Sequence, residues 1–380
     1  MKLSLCIPTH HGRAATLREL LDSIARQRGF DAREVEVCIS DNASADGTAE
    51  LVAEYQRISP FAIHYFRFPT DMRGVRNFLN AVQMARGEYC WLIGSDDVVL
   101  EDGIARVLAA IGEHAVGGVT VNKLNMDHAL TSFVGPDAPQ VLPREPRRTR
   151  ALEGFEAIMA ELGILFTYMS SHVFRRRAWQ AVVDEHGIER LLWTRHFPHT
   201  FVFSQIARRE SRWLWLGDYC VVQRMGNFCL LEEKNRRESL YATEVLEDLD
   251  HVWGFALEAG SAAYLSLMRR QFLFYWNPFG VRRFLCEPAM TAAEARALRS
   301  IAVRCFKRLP LFWLTTYPVL LVPRVLLRWT RPFTSAPAVL RSGSLRRVLR
   351  AMGVNTGWTR EFDSAEALAR REVVRRSETA

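Results

Sequence analysis

Hydrophobic and polar positions follow two patterns along the first hundred residues, short apolar runs and helical periodicity. Together the two patterns predict strands separated by amphipathic helices. The strands are predicted from short apolar runs, at 3–7, 35–39, 63–68 and 89–93. Between the runs, apolar residues recur at helical spacing, as at Leu17, Leu20, Leu21 and Ile24. Strands that alternate with helices form a mostly parallel sheet with right-handed crossovers, so we expect an α/β fold.

A polar cluster follows three of the predicted strands. The clusters are, in chain order, Pro8-Thr9-His10-His11, Ser40-Asp41-Asn42 and Ser95-Asp96-Asp97. Parallel strands present their carboxyl ends at one edge of the sheet, where the ligands of such folds bind. We therefore expect the three clusters to converge on one ligand site.

The third cluster places two adjacent carboxylates, Asp96 and Asp97, at the end of an apolar strand. There they lose hydration and repel each other, so they need hydrogen-bond donors or a cation. Mg²⁺ or Mn²⁺ would meet that need, because these ions prefer carboxylate and phosphate oxygens. The alternative is that the two acids cap a helix that begins near Glu101 and Asp102.

Length and composition are those of a globular protein. The chain has 380 residues, 49% of them hydrophobic, which suits a substantial core and about two domains. Its seven cysteines are odd in number, widely spaced and mostly within apolar runs, which predicts reduced core residues of a cytosolic protein. No Cys-x-x-Cys pair or His-Glu-x-x-His motif occurs, so we expect no structural zinc or zinc-protease site.

The net charge of +8 comes from one late segment. Residues 295–360 contain thirteen Lys or Arg and no Asp or Glu. Within this segment, residues 309–329 form an apolar stretch that Pro318, Pro323 and Arg324 interrupt. A membrane-spanning helix needs roughly 20 apolar residues, so the interrupted stretch predicts an interfacial or re-entrant element in an anionic membrane surface. The alternative is a buried helical hairpin packed on the first domain.

Four short motifs in this order resemble family 2 glycosyltransferases, in the half of the domain that binds a nucleotide sugar. The motifs are Ile7-Pro8-Thr9, the run 40–48, Gly87-Glu88-Tyr89 and Gly94-Ser95-Asp96-Asp97. The resemblance covers residues 1–125 well, extends more weakly to about residue 225, and is most similar to the abequosyltransferase-like branch. It implies a GT-A fold, which is a Rossmann-like, mostly parallel sheet flanked by helices.

The resemblance divides the chain into three parts. Residues 1–125 would be the nucleotide-sugar-binding half, 126–230 the acceptor-binding half, and 231–380 a helical, basic C-terminal region that contacts the membrane. The loop at 126–150 contains four prolines and little periodicity, which predicts either a functional lid or a disordered segment. The prolines are Pro136, Pro139, Pro143 and Pro146.

The resemblance also implies which residues would contact the nucleotide. They are Pro8, Thr9, Asp41, Asn42, Arg73, Arg76 and Asp96. Pro8 and Thr9 would border the base, and Asp41 would accept a hydrogen bond from the base or ribose. Arg73 and Arg76 stand where the family often contacts a phosphate or the base, although a solvated helix start is the alternative.

For the metal, the resemblance implies Mg²⁺ or Mn²⁺ bridging the diphosphate. Asp97 would coordinate the ion, and Asp96 would hold the ribose or a metal-bound water. The chain departs from the family at Gly94, where an acid usually precedes the pair. Metal binding would then be weaker or would depend on Asp97 alone.

The general base is harder to predict. Many family members have a Glu-Asp pair before an apolar helix, whereas this chain has His199 at the comparable place. A neutral imidazole accepts a proton near neutral pH. The alternatives for His199 are a capping loop histidine and a third metal ligand, and Asp184, Glu185 and Asp218 are rival bases.

The resemblance implies an enzyme that transfers a sugar, such as a deoxyhexose, from a nucleotide-diphosphate donor to a glycan acceptor in bacterial surface polysaccharide synthesis. We expect a polyprenyl-diphosphate-linked acceptor, a cytoplasmic location at the inner face of the membrane, and no nucleic-acid partner. One alternative is a nucleotidyltransferase, although no Gly-rich, Lys-bearing loop follows Thr9. The other is a non-catalytic basic protein that binds membranes or nucleic acid, although no nucleic-acid-reading module is recognisable.

Overall fold

The computed structural model describes residues 1–135, 141–143, 145–192, 194, 196–226, 238–329, 365–373 and 375. These residues form two compact units. The first unit comprises the described residues of 1–137, 142–227 and 365–380, and the second those of 138–141 and 228–364. The predicted boundary at 230/231 and the lid prolines Pro136 and Pro139 lie outside the described residues. The predicted division of the first unit at 125/126 stays a prediction.

A ten-stranded sheet forms the centre of the first unit. Its strands are β1 (Leu3–His10), β2 (Val35–Asn42), β3 (Ala62–Arg67), β4 (Tyr89–Leu92), β5 (Val98–Val99), β6 (Gly118–Met126), β7 (Phe133–Gly135), β8 (Arg150–Glu153), β9 (His172–Arg175) and β10 (Arg212–Arg224). They are arranged in the order β3-β2-β1-β4-β9-β6-β10-β5, with β7 beside β6 and β8 beside β10.

Helices accompany these strands along the chain. They are α1 (Ala14–Ala25), α2 (Thr48–Ile58), α3 (Arg73–Gln83), α4 (Gly103–Glu113), α5 (Phe155–Leu162), α6 (Arg176–Leu191) and α7 (Pro198–Glu210). A further helix at 365–373 returns to the first unit, where Ala365 and Ala369 pack with Val98 and Leu124.

The parallel arrangement that the sequence predicts is found in β1 to β4. β1 pairs in parallel with β2 and β4, and β2 pairs in parallel with β3. Beyond β4 the sheet is mixed, because β9 runs antiparallel to both β4 and β6, and β10 runs parallel to β6. The predicted α/β class, with helices around a central sheet and a helical C-terminal region, is confirmed.

The core of this unit consists of the apolar residues of the strands and the apolar stripes of the helices. The buried stripe of α1, which includes Leu17 and Leu21, packs into the same cluster as Leu5 and Ile7 of β1. β1, β2 and β4 are buried on both faces, which explains why they are continuous apolar runs in the sequence. Such strands leave polar groups only at their ends, and those ends form the candidate site.

Helix α4 excludes one alternative for the acid pair. It begins at Gly103, after Asp102 in the left-handed conformation (φ 60°), and no side chain caps it. Asp96 and Asp97 therefore do not cap this helix. Position 103 requires glycine, since a Cβ there would lie 2.7 Å from the Cys220 carbonyl oxygen.

The described part of the second unit is helical. Its helices are α8 (Glu238–Ala256), α9 (Ala262–Phe274), α10 (Pro278–Leu285), α11 (Ala292–Phe306), α12 (Tyr317–Leu321) and α13 (Arg324–Trp329), with a π-helical turn at Phe312–Thr316. Aromatic rings fill its core, and Phe312 packs edge-on against Phe272 and tilted against Phe306. In the described residues, we find no helix with the length and apolar character that crossing a bilayer requires.

Substitution of two glycines tests the packing of the sheet. A Cβ at Gly118 in β6 would lie 2.4–2.7 Å from ring carbons of the fully buried Trp213, whereas Gly112 in α4 has open space around it. We expect Gly118→Ala to lower the free energy of unfolding by about 1–3 kcal/mol, because the core there has no room. Gly112→Ala is the matched control and should raise it by about 0.5–1 kcal/mol, since alanine favours helix. Urea unfolding measures both, and equal effects would contradict this description of the core.

Candidate active site

The first two polar clusters lie side by side at the carboxyl ends of β1 and β2. Thr9 is the register partner of Asp41 in the parallel pair, and Pro8 is half-buried beside Thr9. The Thr9 hydroxyl is buried and has no hydrogen-bond partner among the described residues. Asn77 of α3 donates from Nδ2 to the Thr9 carbonyl at 2.7 Å, and its own Oδ1 is likewise buried without a described partner. Two buried polar atoms without partners indicate a place where a ligand supplies the missing bonds.

Asp41 organises the turn after β2. Its Oδ1 accepts hydrogen bonds from the Ser44 amide at 3.0 Å and from the Ser44 hydroxyl at 2.5 Å. Its Oδ2 accepts from the Tyr65 hydroxyl at 2.6 Å, and the Arg67 Nε lies 3.9 Å from the same oxygen. The carboxylate is fully buried, so these donors replace the water that it has lost. These three hydrogen bonds hold the carboxylate in one orientation.

Asn42 holds the loop that leads into α3. Its Nδ2 donates to Asp71 Oδ1 at 2.6 Å, and its Oδ1 accepts from the Met72 amide at 2.8 Å. Asp71 also accepts from the Arg73 amide, and these bonds lower the pKa of the Asp71 carboxyl. Arg73 takes a left-handed φ of 63°, and the side chains of Arg73 and Arg76 are exposed at the first turn of α3.

Asp97 is buried in a pocket of donors. Only 4% of the residue is exposed. Its Oδ2 accepts from the Tyr168 hydroxyl at 2.7 Å and from the Ser170 hydroxyl at 2.6 Å, and its Oδ1 accepts from the Arg224 amide at 3.1 Å. Burial and then the charge of Asp96 raise the pKa of Asp97 to about 7, although the three donors act in the opposite direction.

Two buried arginines hold the acid loop from either side, and the sequence reasoning missed Arg13. Arg13 Nη1 lies 3.2 Å from Asp96 Oδ2. Arg224, at the end of β10, donates from Nε to the Asp96 carbonyl at 2.7 Å and from Nη2 to Glu19 Oε2 at 2.6 Å, and it also contacts the His128 carbonyl. The Arg224–Glu19 contact joins residues 205 positions apart.

A lysine lies on the other side of Tyr168. Lys123 Nζ is 4.9 Å from the centre of the Tyr168 ring and donates to Asn125 Oδ1 at 2.7 Å and Gln223 Oε1 at 2.6 Å. Its cation–π contact ties the end of β6 to the tyrosine that donates to Asp97. No sequence signal distinguished Lys123. Arg13 does have one, because it is a basic residue just after a strand-end cluster.

Position 94 bears on metal binding. A Cβ at Gly94 would lie 2.8 Å from Asp96 Oδ1 and 3.3 Å from Asp97 Oδ2, so both carboxylates border the space beside this glycine. In the part of the chain that the structure describes, no cluster of three or more His, Cys, Asp or Glu side chains is placed to hold a metal. Two carboxylates still suit Mg²⁺ or Mn²⁺, since such sites commonly take one or two protein carboxylates and phosphate oxygens. The donor set fits a divalent ion held by the pair together with a phosphorylated ligand.

Among the predicted bases, His199 is the one that the structure links to the acid pair. Its Nε2 lies 3.1 Å from the carbonyl of Thr167, the neighbour of Tyr168. Burial lowers the pKa of His199 to about 4, so the imidazole is neutral at pH 7. Its Nδ1 is then the nitrogen that can accept a proton, because Nε2–H donates to the carbonyl.

The other predicted bases are engaged elsewhere. Asp184 is exposed on α6 and accepts from Gln180 one turn away at 2.8 Å. Its neighbour Glu185 is paired with Arg209. Asp218, on β10, forms a 2.7 Å ion pair with Arg106 of α4. The structure does not bring these acids into contact with Asp96 or Asp97, and the identity of the base stays a prediction.

Comparison with known proteins identifies the class. Residues 4–178 match the profile described as glycosyl transferase family 2, so the chain carries a family 2 glycosyltransferase domain. The chain is 31% identical over 219 residues to the abequosyltransferase of Salmonella typhimurium. The matched region covers 54% of this chain and 61% of that protein. It is 28% identical over 126 residues to the GalNAc(5)-diNAcBac-PP-undecaprenol beta-1,3-glucosyltransferase of Campylobacter jejuni, covering 32% of this chain and 39% of that enzyme. The chain thus spans less than two thirds of these relatives.

Solved structures agree on the fold. Residues 1–349 of Staphylococcus aureus TarS, in complex with UDP-GlcNAc, superpose with a TM-score of 0.57 at 18% identity, over 91% of this chain and 92% of that one. A mannosyltransferase of Pyrobaculum calidifontis, in complex with GDP-Man and Mn²⁺, superposes with a TM-score of 0.50 at 15% identity, over 98% of this chain and 87% of that one. These likenesses confirm the predicted GT-A fold.

The raised pKa of Asp97 predicts an unusual dependence of stability on pH. Because the folded-state pKa is raised from 3.8 to about 7, the protonated acid stabilises the fold fully below about pH 4, and this contribution is lost as the pH rises to about 7. Asp97→Asn carries no such charge. We therefore expect the variant to gain stability relative to the parent between pH 4 and 8, by at most about 4 kcal/mol. Urea unfolding with a chelator present measures the difference.

The matched control is Asp102→Asn, because Asp102 is an exposed acid that caps nothing and asparagine tolerates its left-handed backbone. Its stability should stay parallel to that of the parent protein across the pH range. A parallel course for Asp97→Asn as well would show that Asp97 is ionised normally in the folded protein.

Proposed function

We propose that this chain transfers a sugar from a nucleotide-diphosphate donor to a glycan acceptor. The observation that carries the proposal is the acid pair of half-buried Asp96 and buried Asp97. It lies at the sheet edge that also holds the polar atoms of Thr9 and Asn77 that have no partner among the described residues. A nucleoside diphosphate with a divalent cation would complement this edge of the sheet in two ways. The cation would balance the charge of the two acids, and the nucleotide would supply hydrogen-bonding groups for the polar atoms of Thr9 and Asn77.

The nucleotide would lie across the ends of β1 and β2. Pro8 and Thr9 border the base, with the Thr9 hydroxyl and Asn77 Oδ1 available to it. Asp41 and Asn42 shape the base and ribose site mainly through the turns that they hold. The exposed Arg73 and Arg76 are close enough in sequence to Asn77 to contact a phosphate from the start of α3.

The acid pair would hold the metal, with Asp97 as its principal ligand and Asp96 as a ligand or a ribose contact. When bound, Mg²⁺ or Mn²⁺ supplies Lewis-acid stabilisation of the departing diphosphate. Tyr168, Ser170 and Arg224 keep the Asp97 carboxylate in one orientation, while Arg13 fixes Asp96. Oriented carboxylates of this kind need little reorganisation when charge develops on the leaving group.

The acceptor hydroxyl needs a base, and we propose His199 ahead of Asp184 and Asp218. His199 is connected to the acid pair through Thr167 and Tyr168. Its imidazole is neutral at pH 7 and takes the hydroxyl proton on Nδ1 as the acceptor oxygen attacks the sugar carbon. Displacement of the nucleoside diphosphate then completes the transfer.

The abequosyltransferase and undecaprenol-linked relatives support a role in bacterial surface polysaccharide synthesis. The abequosyltransferase alone supports a deoxyhexose as the transferred group. The name of the Campylobacter jejuni relative refers to an undecaprenol-linked glycan. We propose a polyprenyl-diphosphate-linked acceptor for this chain and a peripheral location at the inner face of the membrane. No nucleic acid enters this function.

Ligand-induced stabilisation tests the donor site. The protein is heated with UDP, GDP, CDP or dTDP, each with and without Mn²⁺, and we expect one base to raise the Tm more with the ion than without it. Asp97→Ala should weaken binding of that nucleotide about tenfold or more, because it removes the proposed metal ligand. The Asp102→Asn variant is the control and should bind as the parent does. Stabilisation by none of the four nucleotides would refute the donor site.

Single-turnover kinetics test the base. The donor is a nucleotide sugar with the same base as the nucleotide that stabilises the protein best. The rate at which nucleoside diphosphate is released is measured as a function of pH. His199→Asn should slow the release about 10²–10⁴-fold, because it removes the proton acceptor. In the parent, His199 should become protonated only near pH 4, so a fall in rate below about pH 7 would report protonation of Asp97 and not of His199. A larger loss in Asp184→Asn or Asp218→Asn would assign the base to that acid instead.

A further inference from the structure

The second unit exposes a concentration of large apolar side chains. The residues of what we call the apolar face are Leu311, Leu314, Leu321, Val325 and Leu326. Leu314 is 76% exposed and Val325 is 68% exposed, whereas a typical soluble surface carries such residues singly. All five fall within sixteen consecutive positions, which makes chance scatter a poor explanation.

The same segment is anchored by its other side. Phe312, Leu320 and Leu327 are buried in the second unit. Arg282 of α10 donates to the Leu327 carbonyl at 2.8 Å, and Arg324 Nε donates to the Leu285 carbonyl at 3.2 Å. The segment is therefore buried on one side within the second unit and exposed on the other, and its packing on the first domain stays a prediction.

Basic residues accompany the apolar face. Between 295 and 329 the sequence has no Asp or Glu and seven basic residues, which are Arg296, Arg299, Arg304, Lys307, Arg308, Arg324 and Arg328. Lys307 and Arg308 are exposed, directly before the segment. Trp313 is 41% exposed and donates from Nε1 to the Lys307 carbonyl at 2.8 Å, so its ring has one apolar and one polar side. Amphipathic aromatic rings of this kind favour the membrane–water interface.

We propose that the apolar face inserts into the headgroup region of an anionic phospholipid bilayer, with Lys307 and Arg308 against the lipid phosphates. α12 and α13 have five and six residues, so each is far too short to cross the bilayer and lies within its interface. The charge selects an anionic bilayer over a second copy of this chain, which would bring like charges together. The proposal deepens the membrane location given above and rests on that part of the proposed function.

Co-sedimentation with vesicles tests the apolar face. The full chain is mixed with vesicles of phosphatidylcholine alone or with added phosphatidylglycerol, and we expect binding only to the anionic vesicles, with a marked decrease as salt rises. Leu314→Ser with Leu326→Ser should lower the partition coefficient about tenfold or more, because two exposed leucines leave the interface. Lys307→Gln should lower it about fivefold. The control is Ile58→Ser on α2, which is 65% exposed outside this face and should bind as the parent does.

Three outcomes would overturn the proposal: no binding to anionic vesicles, equal binding by the double serine variant, or equal loss with Ile58→Ser. A self-associated protein that the double variant converts to monomer would assign the face to a second copy instead. Val325→Ser alone provides a milder variant if the double one unfolds. Nucleotide-induced stabilisation, measured on the same samples without vesicles, separates loss of membrane binding from failure of the donor site.

Discussion

The first unit depends on the burial of the Asp97 carboxylate beside Asp96. Two acids in one poorly hydrated place are unfavourable, and the fold compensates with Tyr168, Ser170 and the Arg224 amide on Asp97, and with Arg13 on Asp96. The compensation is incomplete, since the pKa of Asp97 is still raised to about 7. A site that is stable but still short of positive charge is suited to a ligand that brings a cation.

The mixed part of the sheet beyond β4 positions several of the donors to the acid pair. The donors to the acid pair come from the segment before β9 and from the end of β10, which are far away in sequence. β9 runs antiparallel beside β4, so the Ser170 that precedes it lies next to the end of the strand that leads to the acids. Gly94 belongs to the same arrangement, because its amide donates to Ser170 Oγ at 2.9 Å and a Cβ there would crowd both carboxylates.

The sequence was sufficient where local periodicity decides the structure. Strands β1 to β4 and the helices between them follow from apolar runs and the spacing of residues such as Leu17 and Leu21. The convergence of Thr9 and Asp41 followed from parallel pairing alone. The contacts of Arg13 and Arg224 could not be predicted, because the partners of a buried arginine are set by tertiary packing. Asp184 and Asp218 stood out only by residue type. The partner of Asp184, Gln180, lies one helical turn away, whereas the pairing of Asp218 with Arg106 depends on non-local packing.

Proteins usually bury apolar side chains and expose charged ones, and the two units depart from this rule in opposite ways. The first buries charge at Asp97, and the second exposes apolar side chains such as Leu314 and Val325. Each departure costs free energy in the isolated chain. A buried charge has lost its hydration, and an exposed apolar side chain remains unfavourably in contact with water. Such costs are tolerated mainly at functional sites, where a partner removes them. A phosphorylated ligand with its cation suits the first, and a lipid surface suits the second, so the proposed transfer of a sugar from a nucleotide donor to a lipid-linked acceptor accounts for both departures at once.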